Sequence, residues 1–199
     1  MKALAINGSP RKGGNTDTLL RKALAPLEAA GWETEVYQIG GRSVHGCMAC
    51  GKCFETKNME CIINNDPVNE VIKKMTEADA VILGSPTYFA DVTAEMKALI
   101  DRAGYVLVAN GRPLKGKIGS CVVAVRRAGA LRAFDTMNHF LHYCLMIMPG
   151  STYWNLGMGR GIGEVENDAE GLRNMENLGR VINWLSQSIK ADTFPKLEY

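Results

Sequence analysis

Four of the six cysteines in the 199-residue chain lie in one short segment. Two residues separate Cys47 from Cys50 and Cys50 from Cys53, and Cys61 follows after a gap of seven. Structural zinc sites usually divide their ligands between two pairs with a long spacer, whereas bacterial ferredoxin runs begin with the same two short gaps. The spacing therefore favours an iron–sulfur cluster over zinc and over reduced or disulfide-forming thiols, and it leaves all three open.

The composition limits the partners and the compartment. The chain carries 23 Lys and Arg against 21 Asp and Glu, a balance that predicts neither a nucleic-acid partner nor an anionic membrane surface. No apolar run approaches the ~20 residues that a membrane helix needs, and the N-terminus lacks the long apolar region of a secretory signal. We therefore expect a cytoplasmic protein, in which disulfides are rare.

Short apolar runs alternate with helical patterns along the chain. Strands are predicted at residues 2–7, 33–39, 78–86, 118–125 and 144–150, and helices at 15–30, 67–77, 93–105, 130–143 and 170–189. This alternation predicts one α/β domain over residues 1–199, with a cysteine-rich insertion at about 45–65. Five parallel strands covered on both faces fit a doubly wound sheet of strand order 2-1-3-4-5.

Ligands of such sheets bind beyond the carboxyl ends of the strands, so the loops after strands 1, 3 and 4 matter most. The first loop, GSPRKGGNT at residues 8–16, places glycines, hydroxyls and an arginine at a helix N-terminus. That pattern predicts a phosphate monoester site, although a simple turn with an Asn or Thr cap would also explain it. Gly14 and Asn15 stand where a Walker A loop needs Lys and Ser/Thr.

The other two loops could face the same ligand. After strand 3, Pro86 stiffens a turn that carries Tyr88 and Phe89, against which a planar ring could pack, or which could close the core instead. After strand 4, Arg126 and Arg127 reach the same edge, either solvated or facing an electron-rich ring. The three loops together predict a site for a phosphorylated aromatic ligand.

Three segments carry a family resemblance that reaches to about residue 179: GSPRKGGNT, the cysteine segment ending in CIINND, and GSPTYFADVTAEMKALIDR. They resemble the NAD(P)H-dependent FMN reductase-like flavoproteins of flavodoxin-like fold, and the cysteine spacing is similar to that of their iron–sulfur flavoprotein branch. The resemblance implies three groups of FMN contacts. The phosphate would be held by Ser9, Arg11, Gly14, Asn15 and Thr16; the isoalloxazine would be bordered by Pro86, Thr87, Tyr88 and Phe89; its pyrimidine edge would be approached by Arg126, Arg127, Ala128 and Gly129.

The resemblance further implies an FMN-dependent oxidoreductase that takes electrons from NAD(P)H or a reduced carrier. A [4Fe–4S] cluster on Cys47, Cys50, Cys53 and Cys61 would pass them to a redox partner protein or a small-molecule acceptor. Because the flavin does the chemistry, no catalytic acid, base or nucleophile is named. Two alternatives stay open: a flavin or quinone reductase without a cluster, and a non-enzymatic zinc-stabilised binding module.

The family resemblance also implies a homodimer or homotetramer. The apolar stretch LMIMPG at residues 145–150 and the tail TFPKLEY at residues 193–199 are candidates for subunit contacts. Cys121 and Cys144 are expected to be buried, inert thiols, and Asp101 and Arg102 to make surface or interface contacts. The glycine-rich stretch GMGRGIG at residues 157–163 is expected to be a mobile loop.

Overall fold

The computed structural model describes residues 1–189 and 193–196, so the end of the predicted contact tail, residues 197–199, lies outside the described residues. Five parallel strands form one sheet in the order β2-β1-β3-β4-β5. The strands are β1 (Lys2–Asn7), β2 (Glu33–Gln38), β3 (Ala80–Pro86), β4 (Ile118–Val125) and β5 (Leu156–Met158). The predicted doubly wound, flavodoxin-like sheet is confirmed.

Six α-helices and one 3₁₀ turn cover the described part of this sheet. They are α1 (Asn15–Ala29), α2 (Lys52–Thr56), α3 (Val68–Glu77), α4 (Ala94–Ala109), α5 (Ala130–Tyr143), the 3₁₀ turn (Glu164–Asn167) and α6 (Ala169–Ser186). The sequence did not predict α2, a short helix inside the cysteine segment, and α4 runs four residues further than predicted. Among these helices, none has the length and apolar character required to cross a bilayer.

Strands β1, β3 and β4 are almost wholly buried because both faces of the sheet are covered, whereas the edge strand β2 is polar and half-exposed. On one face, Leu4 and Ile6 of β1 pack in a core with α3, α4 and α5. On the other, Ala3 and Ala5 pack in a second core with α1 and α6. The cores therefore fix the sheet between two helical layers and leave the loops at the strand ends to build a site.

The predicted fifth strand at residues 144–150 is wrong. Cys144 caps α5, Leu145 has a left-handed backbone, and only Ile147 forms a bridge, to Ile118 at the start of β4. The strand that pairs with the end of β4 is Leu156–Met158. The run is apolar because residues such as Met146 are buried in the core, not because the segment is a strand. Apolar character alone therefore predicts a strand where the backbone turns.

The true β5 begins one residue before the stretch that was expected to be a mobile loop and includes its first two residues, Gly157 and Met158. Gly157 is buried in the strand, and a Cβ there would lie 2.6 Å from Leu19 of α1. Glycine is needed because α1 crosses the strand closely at this point. A three-residue strand with a central glycine has no apolar run that a sequence pattern could reveal.

The corner after β1 is held by polar contacts with the end of β2. The Asn7 side chain accepts from the Ser9 N–H at 2.9 Å and donates to the Gln38 side chain at 3.0 Å. Gln38 in turn donates to the carbonyls of Ser9 and Gly40. These contacts bring two backbone segments so close that a Cβ on Gly40 would lie 2.3 Å from the Ser9 carbonyl carbon.

We predict that Gly40→Ala destabilises the protein and displaces this corner, because the colliding atoms belong to backbone that cannot rotate away. The expected loss in free energy of unfolding is about 1–3 kcal/mol, the usual cost of overpacking. Gly150→Ala is the control, since no heavy atom of the described residues lies within 4 Å of a Cβ there. Urea unfolding measures both, and equal midpoints for the two variants would contradict the prediction.

Candidate functional site

Loops from four strands converge on one cavity of about 200 Å³ at the carboxyl edge of the sheet. Its walls combine most of the predicted phosphate and ring residues with part of the loop after β5. The lining residues are Ser9, Arg11, Asn15, Thr16, Pro86, Thr87, Tyr88, Ala124, Arg126, Gly159, Arg160 and Ile162. The position next to the switch between β1 and β3 is where ligands of such sheets bind.

Other predicted residues lie outside this cavity. Gly14 is buried behind it as the N-cap of α1, and Phe89 is fully exposed at the tip of a turn. Arg127, Ala128 and Gly129 line a neighbouring cavity of about 550 Å³. The structure therefore brings residues of all three predicted loops to one cavity, but not every residue assigned to those loops.

The first loop leaves the start of α1 open. No side chain among the described residues caps the helix at Gly14, and the Ser9 hydroxyl accepts instead from the Arg11 N–H at 3.2 Å. The Asn15 side chain donates to the carbonyl of Gly161 at 2.9 Å. First-turn N–H groups without a cap are donors for an anion, and the helix dipole favours negative charge there.

The loop after β3 contributes an unpaired hydroxyl. Thr87 lines the cavity, and its Oγ1 atom is buried and has no hydrogen-bond partner among the described residues. A buried hydroxyl without a partner costs about 1–3 kcal/mol, so native proteins seldom keep one without a reason. A ligand that accepts or donates a hydrogen bond at this point would remove the cost.

The turn that follows is strained. Tyr88 and Asp91 exchange two backbone hydrogen bonds, and between them Phe89 and Ala90 have left-handed φ angles of 46° and 63°. The Asp91 side chain fixes the turn by accepting from the Thr136 hydroxyl at 2.7 Å. Non-glycine residues with such angles persist where the surroundings impose them, often at ligand sites.

The sequence missed the contribution of the loop after β5. Arg11 donates to the carbonyl of Arg160 at 3.0 Å, so this loop closes over the first one. The loop was overlooked because β5 itself was misplaced. The signal that could have found it is the glycine-rich stretch at residues 157–163, which follows a short apolar segment as the other ligand loops do.

The cysteine segment forms a second cavity of about 100 Å³, which all four predicted cysteines line together with residues of α4. Cys47 and Cys50 are exposed, Cys53 and Cys61 are half-buried, and each is a free thiol. Gly51 has a left-handed φ of 71°, which lets the chain turn between the second and third thiols. Within residues 1–189 and 193–196, no three His, Cys, Asp or Glu side chains are placed to hold a single metal ion.

The thiols of this cavity influence one another. Burial raises the pKa of Cys53, and the neighbouring Cys61 and Cys50 raise it further, against backbone hydrogen bonds that lower it. Thiolates are the form that binds metal, so four of them in one cavity need positive charge beside them. Four cysteine sulfurs in one cavity therefore fit a group that contains thiolate-binding metal ions, such as zinc or an iron–sulfur cluster.

The expectation that Arg102 lies at the surface is wrong. Its side chain is 0% exposed, and four hydrogen bonds join it to the cysteine segment. Asp101 does pair with Lys97 at the surface, as predicted. The partners of Arg102 are Cys61 Sγ at 3.3 Å, the Ile63 carbonyl at 2.7 Å, the His45 carbonyl at 3.2 Å and the Asp66 carboxylate.

Asp66 is the counter-ion of this buried arginine. Burial alone would raise the pKa of Asp66, but hydrogen bonds from Arg102 and from the N–H groups of His45 and Val68 outweigh it and lower the pKa. Asp66 is therefore ionised at neutral pH, and the pair stays charged. Sequence reasoning missed the pair because its two members lie 36 residues apart and only tertiary packing joins them.

The two remaining cysteines have no part in either cavity. Cys121 lies in β4 and Cys144 follows α5, and both are buried. Burial raises the pKa of both thiols, that of Cys144 to about 12. The prediction that both thiols are buried is confirmed, and that they are inert stays a prediction.

Comparison with known proteins identifies the family of the chain. Residues 1–161 match the family model described as NADPH-dependent FMN reductase. An iron–sulfur flavoprotein of Methanocaldococcus jannaschii is 36% identical over 96% of this chain and 100% of its own length. Another from Methanosarcina thermophila is 34% identical over 75% of this chain and 78% of its own length.

The fold has relatives among solved structures as well. The structure of a flavodoxin from the domain Archaea superposes with a TM-score of 0.60 at 16% identity, covering 94% of this chain and 99% of that one. The family match supports an oxidoreductase over the non-enzymatic zinc-stabilised module that the sequence left open. The chain belongs to the NADPH-dependent FMN reductase family and is a flavodoxin-like, FMN-binding oxidoreductase.

Proposed function

We propose that this oxidoreductase takes electrons from NAD(P)H or a reduced carrier and delivers them to a redox partner protein or a small-molecule acceptor. It would use FMN and a [4Fe–4S] cluster for this purpose. When bound, FMN supplies the exchange between two-electron and one-electron partners. The protein's own residues bind and orient both groups, and their placement supports the proposal.

One observation carries the flavin assignment: the open N-terminus of α1 and the unpaired Thr87 hydroxyl share one cavity. A phosphate would satisfy the helix N–H groups, with Arg11 as its counter-ion and Ser9 and Thr16 beside it. Thr87 would bind the polar edge of the ring. A mononucleotide joins these two requirements in one molecule.

The ring would lie against the loops after β3 and β4. Pro86 and Tyr88 line the cavity, and the strained turn holds Phe89 just outside it. Arg126 lines the cavity from β4, where a guanidinium can face the electron-rich pyrimidine edge. For Arg127, Ala128 and Gly129, which line the neighbouring cavity, a role at that edge stays a prediction.

The cluster assignment combines the donor set with the relatives. Cys47, Cys50, Cys53 and Cys61 line one cavity, and several relatives carry the name iron–sulfur flavoprotein. A [4Fe–4S] cluster takes one thiolate for each of its irons. Two of these sulfurs already accept hydrogen bonds. The backbone N–H of Ala49 donates to Cys47 Sγ at 3.4 Å, and the side-chain Nε–H of Arg102 donates to Cys61 Sγ at 3.3 Å. Such hydrogen bonds tune cluster potentials.

We also propose a cytoplasmic homodimer or homotetramer. Exposed thiols such as those of Cys47 and Cys50 stay reduced in the cytoplasm. Phe54, Tyr105 and Tyr143 are exposed along a groove of about 610 Å³, an apolar surface of the kind that subunit contacts cover. Within the predicted contact stretch, Met146 is buried in the core and Met148 is exposed.

Arg11→Ala should lower the affinity for FMN about tenfold, because it removes a charged hydrogen-bond donor from the phosphate. Affinity for riboflavin, which lacks the phosphate, should stay the same. Lys12→Ala is the matched control, since Lys12 is the neighbouring exposed cation and does not line the cavity. Titration of flavin fluorescence measures the affinities of the unmodified protein and both variants for FMN and riboflavin. An equal loss of affinity for FMN and riboflavin in Arg11→Ala would contradict a phosphate contact.

Thr87→Val should affect the flavin-free and flavin-bound protein in opposite directions. Removal of a buried, unpaired hydroxyl raises the free energy of unfolding of the flavin-free protein by about 1 kcal/mol. Loss of the same hydroxyl lowers the affinity for FMN and for riboflavin about fivefold each. Thermal unfolding without flavin and fluorescence titration check the two signs. Unchanged flavin affinity would remove Thr87 from the site.

Anaerobically reconstituted protein should contain about four irons and four acid-labile sulfides per chain, as a [4Fe–4S] cluster requires. Cys50→Ser should contain far less of both, because it lacks one ligand. Cys121→Ser, which removes a buried thiol outside the cavity, should match the unmodified protein. FMN binding without inorganic sulfide would favour the cluster-free flavin or quinone reductase instead.

A further inference from the structure

A buried positive charge lies between α4 and the cysteine segment. The side chain of Arg102 is 0% exposed and that of Asp66 is 5% exposed. Burial of an ion pair costs several kcal/mol, and apolar residues of similar size often hold two elements together more cheaply. Attachment of the segment to α4 is therefore not a sufficient reason for an arginine at this position.

The directions of the arginine's hydrogen bonds supply a further reason. One edge of the guanidinium binds the Asp66 carboxylate and the carbonyls of His45 and Ile63. The remaining Nε–H points at Cys61 Sγ, 3.3 Å away. Cluster-bound cysteine sulfurs accept N–H···S hydrogen bonds, so this donor is placed to hold the Cys61 sulfur where a cluster would need it.

Cys61 is the ligand that most needs positioning. It stands eight positions beyond Cys53, and its backbone is already held by Asn69, which accepts from its N–H and donates to its carbonyl, both at 2.8 Å. Arg102 adds a contact to the sulfur itself. Backbone and side chain of this cysteine are thus fixed independently.

The helix that carries Arg102 also supports the flavin corner. Thr93 caps α4, donates its hydroxyl to the Gly8 carbonyl at 2.8 Å and receives the N–H of Met96. Arg102 follows nine residues later, about 14 Å along a helix with a 1.5 Å rise per residue. One rigid element therefore holds the phosphate corner at its start and the buried cation two and a half turns on.

We propose that Arg102 is a positioning residue that fixes Cys61 on the cluster and favours the reduced form, which carries one more negative charge. This inference rests on the proposed cluster. A nearby cation and an N–H···S hydrogen bond both stabilise added negative charge on an iron–sulfur group. Loss of Arg102 should make the cluster harder to reduce.

The test compares two variants that disturb the same ion pair. Asp66→Asn removes the negative charge and keeps Arg102. The double variant Asp66→Asn, Arg102→Gln replaces the pair by two neutral amides, so that no buried charge is left without a partner. Anaerobic titration with redox dyes, followed by electron paramagnetic resonance at matched iron content, gives the reduced fraction of each protein.

At a fixed potential, the ratio of reduced to oxidised cluster should be at least about tenfold lower in the double variant than in Asp66→Asn. Asp66→Asn itself should match the unmodified protein or shift toward the reduced form. A purely structural role for Arg102 would lower iron retention and leave the ratio unchanged. Equal ratios in the two variants would therefore overturn the inference.

A second variant, Arg102→Lys, tests the inference in case the double variant does not fold. Arg102→Lys keeps the charge but lacks the planar fork that reaches four partners at once. It should retain four irons and give an altered resonance spectrum, because Cys61 loses its fixed donor; an unchanged spectrum and potential would also overturn the inference. If the unmodified protein assembles no cluster, both the proposed function and this inference fail. If it assembles a cluster but the variants show equal ratios, only this inference fails.

Discussion

The structure depends on the contacts that Thr93 makes at the start of α4. Its hydroxyl donates to the carbonyl of Gly8 in the first loop, and its N–H donates to the Ser85 hydroxyl at the end of β3. One buried residue thereby joins β1, β3 and α4 at the point where the sheet order reverses. Because a doubly wound sheet gathers its ligand loops at this edge, a displacement of Thr93 would shift the loops after β1 and β3 that line the candidate cavity.

The cysteine segment has little structure of its own. Its one helix, α2, is five residues long and buries no side chain, and most of the segment is exposed. Its order comes from outside, through the hydrogen bonds of Arg102 and through Asn69 of α3. The segment is therefore an extension of the helical layer, and its geometry is set by α4, the same helix that supports the first loop.

Most of the fold could be read from the sequence because β1, β3 and β4 are buried on both faces and the long helices have an apolar stripe. The bounds of β4 and α5 agree with their predictions for this reason. Two features could not be read. The short strand β5 owes its place to close packing of Gly157 against α1, and the role of Arg102 depends on partners in a distant segment. Both are properties of tertiary packing, which residue patterns do not encode.

The candidate site divides in the same way. Residues such as Arg11 and Thr87 were found because they follow strands in a doubly wound order. The arginine that contacts Cys61 was missed because its sequence neighbours suggest a solvated helix face. Charge explains why it is there. If the four cysteines bind a cluster as proposed, their thiolates repel one another, and a fixed cation beside the remote one lowers the cost of bringing it in. Metal binding and folding of the segment would then be coupled, since the metal would supply the contacts that the segment lacks on its own.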